Sequence, residues 1–373
     1  MTNVICEYIW LDANKNLRSK TNILLNHDPE SGFPIWNYDG SSTNQANGKS
    51  SEVFIRPIKV TRDPFRREEQ AFLVLCDTWI IDKVKSKEKN NIVYIPHKDN
   101  TRRQAQITFD NPTTMKEDPW FGLEQEFFFT NKGDNKQAIA MGTSSQSQEF
   151  YCGVGHDKIQ YREVAEHALN NVLGSESISC TGYNWEVAPG QCEFQIFGQG
   201  IDAADSLLLF RYILNRTAEI YKYSIDYHPK PYADYNGSGC HTNYSTMSTR
   251  SEGGIDTIKS YISKLEKTHK THIKNYGSSD NKLRLTGKNE TASWEKFTYG
   301  VADRSASVRI PTKTFFEKAG YFEDRRPSSN CDPYLVITKL IETTIYDGEV
   351  FAISNEDNAI MAQSIHQNDE PNA

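Results

Sequence analysis

The sequence predicts an α+β protein in which a small β-rich domain, residues 1–100, precedes a larger domain, residues 101–350. Two observations carry this. The first hundred residues hold short strand-like runs, and the helical periodicities all fall after residue 157 among scattered strands. Without regular βαβ alternation, this points to a mainly antiparallel sheet flanked by helices. Val4 to Leu11 and Arg18 to Leu25 flank the turn cluster DANKN and form a hairpin. Val53 to Val60 and Ala71 to Ile80 are two more strands, with FPIWNYDGSST before them as an irregular loop. DKVKSKEKNN, from Asp82 to Asn91, is the one charge-rich stretch and reads as a solvated loop.

In the second domain Asp157 is placed to cap a helix with apolar residues at Val164, Ala165, Ala168, Leu169, Val172 and Leu173, stopped by Gly174. Asp202 caps a second helix to about Tyr223. Ile255, Ile258, Ile262, Leu265 and Ile273 mark a third, with His269 and His272 beside Lys267 and Lys270 on its solvated surface. Asp332–Pro333 places a cap and a first-turn proline before a helix that runs to Gly348. Residues 351–373, with SNEDN and QNDEPNA, are expected to be poorly ordered.

Composition excludes several classes. The 42 Lys and Arg against 49 Asp and Glu leave a net charge of −7, which gives no pull toward nucleic acid or anionic membrane. No apolar run reaches the roughly 18 residues of a membrane span, and the N-terminus lacks the pattern of a secretory signal. Seven cysteines without a CxxC fit reduced thiols in the cytoplasm.

The chemistry concentrates in a few segments. In WFGLEQEFFF, Glu124 and Glu126 share one strand face amid aromatics. Buried paired carboxylates need a cation, although an exposed edge is the bland reading. In NWEVAPGQCEFQ a two-residue Pro189–Gly190 turn sets Glu186 opposite Glu193, a repulsive pair that a divalent cation relieves. Pro–Gly is a poor tight-hairpin turn, so a slip of the pairing stays open. NGSGCHTNYS brings His241 with Gly237 and Gly239. A lone strand histidine is more often a satisfied core residue, and gains meaning only beside the glutamates. Arg284, Glu290, Arg304, Arg309, Glu323, Arg325 and Arg326 crowd the last third. Each arginine alone is a weak surface pair, but together with the glutamates they fit a site for phosphate and divalent metal. Arg304 and Arg309 have opposite strand parity, so both reach one site only if Arg304 precedes the strand. No P-loop or protein-kinase motif is present.

With these residues in hand, the chain resembles the eukaryotic-type glutamine synthetase family (glutamate–ammonia ligases). WNYDGSST, RDPFR, WFGLEQE, YCGVG, EVAPGQCEFQ, NGSGCHTNYST, RLTG, NETAS, DRSASVRIP and YFEDRRPSSNCDP match in the family's order, from about Tyr8 to Ile345. The resemblance implies a β-grasp domain, an ATP- and glutamate-binding catalytic domain, and a cytoplasmic homo-oligomer of two stacked pentameric rings, a decamer. It implies that ATP drives ligation of ammonia to the γ-carboxylate of L-glutamate through γ-glutamyl phosphate, with two or more Mg2+ or Mn2+ per site. Glu126, Glu186 and Glu193 would hold one metal; Glu124, His241 and Glu323 the other. Arg304, Arg309 and Arg325 would take phosphates, with Arg304 and Arg325 also at the glutamate, alongside Glu193, Asn236, Gly237 and Arg284. Trp120, Glu124, Asn243, Ser245 and Tyr321 match positions at the nucleotide. Glu290 corresponds to a flap carboxylate, and Asp39 to the ammonium-binding base supplied by a neighbouring subunit.

The chain departs from the family pattern in places. The family's N-terminal helix is expected to be absent or very short, which bears on ring stacking. The segment between Cys76 and Trp120 is long, and residues 130–149 lack the expected Pro- and aromatic-rich loop. Asn289 replaces a His before the flap glutamate, and Cys192 replaces a Trp before the last hairpin glutamate. Three other readings compete: a ligase joining glutamate to another amine, a guanidino kinase, and an inactive structural relative. Asp39 speaks against the first, Glu290 and the DGSST loop against the second, and six intact metal-ligand positions against the third.

Overall fold

The computed structural model describes residues 2–131, 148–288, 290–350 and 360–361. The chain divides into two compact units, Met1–Ile107 with Phe351–Ala373, and Thr108–Val350.

The first unit is a mixed sheet of β1 (Thr2–Leu11), β2 (Leu17–His27), β3 (Trp36–Asp39), β4 (Glu52–Arg62), β5 (Ala71–Ile81) and β6 (Val93–Pro96). β1 and β2 form the expected hairpin, and β1 also runs parallel to β5, the central pairing of a β-grasp sheet. Alternate β1 residues Val4, Cys6, Tyr8 and Trp10 point to one face and pack on Val53, Ile55 and Val74. Two expectations fail here. FPIWNYDGSST is not wholly irregular: Trp36–Asp39 pairs with β4, and Asp39 opens a 3-10 turn by accepting a bond from Ser41 N–H. DKVKSKEKNN is a helix, Lys83–Lys89, capped by the Asp82 carboxylate. Lysine and glutamate are good helix formers, so one cap holds this short helix without burying a residue. Of the tail, Ile360–Met361 pairs with β6; residues 351–359 and 362–373 lie outside the described residues, as do 132–147 and Asn289.

The second unit is built on β7 (Trp120–Asn131), β8 (Ser179–Trp185), β9 (Gln191–Gln199), β10 (Tyr223–Asp226), β11 (Cys240–Ser245), β12 (Tyr299–Val301), β13 (Val308–Ile310) and β14 (Phe322–Asp324). The strand order is β12-β13-β14-β11-β7-β9-β8, with β10 also on β7, and every pair except β12–β13 is antiparallel. The helix Asp202–Ile220 covers one face, with Phe210 against Phe194 at 5.0 Å. Its Arg211 is buried and donates to Gln125 Oε1 at 2.8 Å. The opposite face therefore collects the alternate residues Glu124, Glu126, Glu193, His241 and Glu323. Among the described residues no helix is long and apolar enough to cross a membrane.

Helix boundaries differ from the sequence expectation in instructive ways. Asp157 caps nothing; that helix is Arg162–Gly174, entered at Tyr161 without a side-chain cap bond. Asp202 is the first helical residue after Ile201, and this helix stops at Ile220 because Lys222 turns into the left-handed region before β10. The third helix breaks at Thr268 into Gly254–Lys267 and His269–Asn275. The last, Pro333–Tyr346, begins as expected, with the Asp332 carboxylate accepting from Tyr334 N–H.

His269 and His272 are not surface residues: both are buried. His272 bonds Tyr276 Oη and Thr343 Oγ1, and His269 bonds the Trp294 carbonyl. The helix turns its histidines inward because the buried Arg326–Asp324 pair and Tyr276 supply polar partners there.

Candidate active site

A cavity of about 250 Å³ opens on the uncovered face of the second unit's sheet. Glu124, Glu126, Glu186, Glu193 and His241 line it together with Arg284, Arg304, Arg309 and Arg325. Asn236, Gly237 and Glu290 complete the sequence-predicted residues found there. Arg304 does precede its strand, lying in the turn before β13, so it reaches the same cavity as Arg309 despite opposite parity.

The expected hairpin register is wrong. Trp185 pairs with Cys192 and Asn184 with Glu193, while Glu186 N–H donates to the Gln191 carbonyl at 3.0 Å. Residues 187–190 form a wider loop, with Gly190 at φ +73°, because Pro–Gly suits a turn that the tight hairpin cannot use. Glu186 therefore faces Gln191, and the opposed carboxylates are instead Glu126 on β7 and Glu193 on β9. Cys192 is fully buried between Phe127 and Trp185 on the paired strands, facing away from the cavity.

His241 sits opposite Glu124, with Nδ1 3.4 Å from Glu124, 3.7 Å from Glu126 and 3.6 Å from Glu323. Glu323 lies beneath the cavity wall, fully buried, with Arg309 at 2.5 Å and Arg325 at 2.7 Å. Glu290 comes within 3.1 Å of Arg304 Nη2. The NGSG glycines have a packing reason: a Cβ on Gly237 would lie 2.2 Å from the Pro229 carbonyl oxygen, and one on Gly239 2.8 Å from His241 Nε2. Arg284, beneath them, donates from Nη2 to the carbonyls of Arg325, Arg326 and Pro327 at 2.9–3.1 Å.

Burial sets the electrostatics. It pushes the Glu126 carboxyl up to about 8, helped by the charge of Glu186, although Gly239 N–H and Arg284 oppose it. Glu186 rises to about 7 by burial, with Arg304 opposing. Burial and the charges of Glu124, Glu126 and Glu186 hold Glu193 well above the carboxylate range. His241 is held well below 6.5 by burial and by Arg325. Repelled carboxylates around a neutral imidazole are a donor set that fits a divalent cation. Ligand atoms of Glu124, Glu193 and His241 already lie within 4.8 Å of one another.

Sequence reading missed the amides of Asn184, Gln191 and Gln195, and named Asn243 only at the nucleotide. Gln191 Nε2 donates to Glu126 at 3.1 Å, Gln195 Nε2 to Glu193 at 2.7 Å, Asn184 Nδ2 to Glu186 at 2.9 Å and Asn243 Nδ2 to Glu124 at 2.8 Å. Each carboxylate is thus oriented by one amide. The signal was present: Gln191, Glu193 and Gln195 alternate on one strand face. Tyr151, also unforeseen, lines the same cavity.

Trp120, Asn243, Ser245 and Tyr321 line a second, mostly apolar cavity of about 360 Å³, together with Phe197 and Arg250. The Arg250 guanidinium lies over the Trp120 ring at 4.2 Å and bonds Asp118 and Ser245. Asn243 links the two cavities through its bond to Glu124. Asp39 belongs to the first unit and is exposed, with its carboxylate bonded by Ser41 N–H, Ser41 Oγ and Ser42 Oγ.

Such a fold, with carboxylates and guanidiniums in one cavity and an aromatic slot linked to it through Asn243, has the features of an enzyme site. Residues 98–350 match the family model described as glutamine synthetase, catalytic domain. A putative glutamine synthetase of Acanthamoeba polyphaga mimivirus is 46% identical over 345 residues, covering 91% of this chain and 93% of that protein. The Daucus carota glutamine synthetase cytosolic isozyme is 45% identical over 346 residues, covering 91% and 94%. In structure, the Plasmodium falciparum glutamine synthetase superposes with a TM-score of 0.73 at 16% identity over 92% of this chain and 72% of that one, a likeness of fold. The chain belongs to the glutamine synthetase family.

Proposed function

We propose that the enzyme ligates ammonia to the γ-carboxylate of L-glutamate, with ATP converted to ADP and phosphate through γ-glutamyl phosphate. The observation that supports this reading best is the pairing of the two cavities through Asn243: anion-binding chemistry lies on one side and an aromatic slot on the other.

Trp120, Asn243, Ser245 and Tyr321 hold the nucleotide, with Glu124 at its phosphate end. Glu126, Glu186 and Glu193 hold one divalent cation, and Glu124, His241 and Glu323 a second; Mg2+ and Mn2+ both suit these hard ligands. When bound, these cations neutralise phosphate oxygens during transfer. Arg284 and the backbone at Asn236 and Gly237 orient glutamate, with Glu193, Arg304 and Arg325 beside it. A carboxylate resists nucleophiles because of its charge. Phosphorylation makes its oxygen a leaving group, and Arg304, Arg309 and Arg325 spread the charge of the moving phosphoryl. Asp39 of a neighbouring subunit attracts ammonium and takes a proton, since only neutral ammonia attacks. Glu290 covers the intermediate, because water would hydrolyse it.

The family membership supports stacked pentameric rings, a decamer, with each site completed by its neighbour. A cytosolic relative supports a cytoplasmic location. Residues 1–100 act as the β-grasp domain and 101–350 as the catalytic domain.

The test uses ATP, glutamate, Mg2+ and hydroxylamine, following γ-glutamyl hydroxamate and phosphate together, then ammonia in its place. Equal amounts of the two products, and glutamine with ammonia, are expected. Phosphate without hydroxamate, or neither product from folded oligomer, would overturn the reading.

A further inference from the structure

Behind the active-site cavity lies a buried polar cluster that the proposed mechanism does not use. Residues 285–288 and 290–294 run as the two arms of a small hairpin: Trp294 N–H donates to the Leu285 carbonyl at 2.9 Å, and Thr286 bridges Ser293. This hairpin carries Glu290 and Thr291 to the cavity wall. Glu290 meets Arg304 at 3.1 Å, and Thr291 Oγ1 donates to the Arg284 carbonyl at 3.0 Å. The far side of the hairpin base is fastened once more, by His269. Its Nε2 lies 2.9 Å from the Trp294 carbonyl oxygen, and its ring packs edge-on against Phe297 at 5.7 Å.

The protonation pattern of His269 follows from its partners. A carbonyl only accepts, so Nε2 carries the hydrogen. Arg326 Nη1 only donates, and it lies 3.3 Å from Nδ1, so Nδ1 offers its lone pair. The imidazole is therefore neutral and held in one tautomer. Arg326 is itself fixed by Asp324 at 2.7 and 2.8 Å, and its carbonyl accepts from Arg284 Nη2 at 2.9 Å. One rigid chain thus runs from the Glu290 hairpin, through His269 and Arg326, to the backbone that seats Arg284.

We infer that His269 is a positioning residue: its hydrogen bond to the Trp294 carbonyl holds the 290–294 arm of the hairpin where Glu290 shields the acyl phosphate from water. The inference rests on the synthetase reading of the site and adds a residue outside the cavity. Loss of this bond leaves substrate groups and metal ligands in place. It loosens the hairpin, so water competes with the amine and phosphate appears without γ-glutamyl product.

Two substitutions separate this role from general support. His269→Asn keeps an acceptor for Arg326 and is too short to reach Trp294; His269→Gln places an amide donor near the Nε2 position. His269→Leu, which fills the space without either bond, is the second disrupting variant should His269→Asn not fold. In the hydroxylamine assay the yield of hydroxamate per phosphate falls about 5-fold in His269→Asn and returns to within about 2-fold of wild type in His269→Gln. An unchanged ratio in His269→Asn, or no recovery in His269→Gln, overturns the proposal. Hydrogen exchange of the peptide spanning residues 285–294 gives a reading independent of turnover. Its amides exchange about 10-fold faster in His269→Asn, as the loss of one ordinary hydrogen bond implies, and at the wild-type rate in His269→Gln. Equal exchange in His269→Asn and wild type overturns the proposal even where wild-type protein makes neither product, a result that sinks the synthetase reading instead.

Discussion

Glu126 and Glu193 stand directly opposite each other on the antiparallel strands β7 and β9, both buried, each with an amide donor at hydrogen-bonding distance. A sheet does not place two carboxylates in register in its interior for stability, since like charges directly opposed repel. The pair is stored repulsion that a divalent cation would relieve.

Replacing one member should therefore stabilise the metal-free protein while destroying function. Glu126→Gln keeps an oxygen to accept from Gly239 N–H and removes the charge. At pH 7 the expected gain in metal-free stability is on the order of 1–3 kcal/mol, from a folded pKa of about 8 against an ordinary 4.5. Melting curves in chelator should show Glu126→Gln above wild type. Added Mg2+ should raise wild type and leave the variant nearly unmoved, with synthetase activity lost. A variant less stable than wild type in chelator would remove the repulsion argument.

The same carboxylates give a pH dependence with a definite sign. Glu126 and Glu186 have folded pKa values raised to about 8 and about 7, and Glu193 is raised too. Between the ordinary 4.5 and these values the folded state binds protons that the unfolded state has released. Stability is then fully present below about pH 4.5 and lost as pH rises through 7–8. In chelator the urea midpoint of the second unit should fall steadily from pH 5 to 8, and saturating Mg2+ should flatten the slope. A midpoint that rises over this range would contradict the buried-carboxylate account.

Trp120 is the clearest test of the aromatic slot. It lies between Arg250, at 4.2 Å, and Phe197, ring to ring at 5.8 Å, on the wall of the second cavity. Trp120→Ala should raise KM for ATP on the order of 10-fold or more, since stacking a base on an aromatic ring is worth about 1–3 kcal/mol. KM for glutamate should change far less. Equal loss for both substrates would place the nucleotide elsewhere.

Asp39 tests the amine end. Ser41 holds its carboxyl below the ordinary value through a hydroxyl and a backbone N–H, so it is anionic at neutral pH, where ammonium is the main form of the amine. Asp39→Ala should raise KM for ammonium by about 10-fold or more and leave ATP binding, followed by a fluorescent analogue, near wild type. Equal losses would reject its role as the ammonium base.

Much of this was legible because strand geometry is local. Period 2 alone put Glu124 and Glu126 on one face. The Asp332–Pro333 helix start was readable because a cap and its donor are two residues apart. The motifs, in their order, gave the family. What the chain could not disclose locally was decided by tertiary packing. The register of β8 against β9 depended on a loop wider than its Pro–Gly suggested, so the opposed carboxylates proved to come from β7 and β9 rather than from the two arms of one hairpin. His269 and His272 carry lysine neighbours and read as surface. They are buried because Arg326 and Asp324 fold against them from distant positions and, with the nearby Tyr276, supply the polar partners that make burial affordable. The sequence determined which side chains each element offers to a face. Only the packed structure decided which faces meet, because that free energy resides in contacts between residues far apart along the chain.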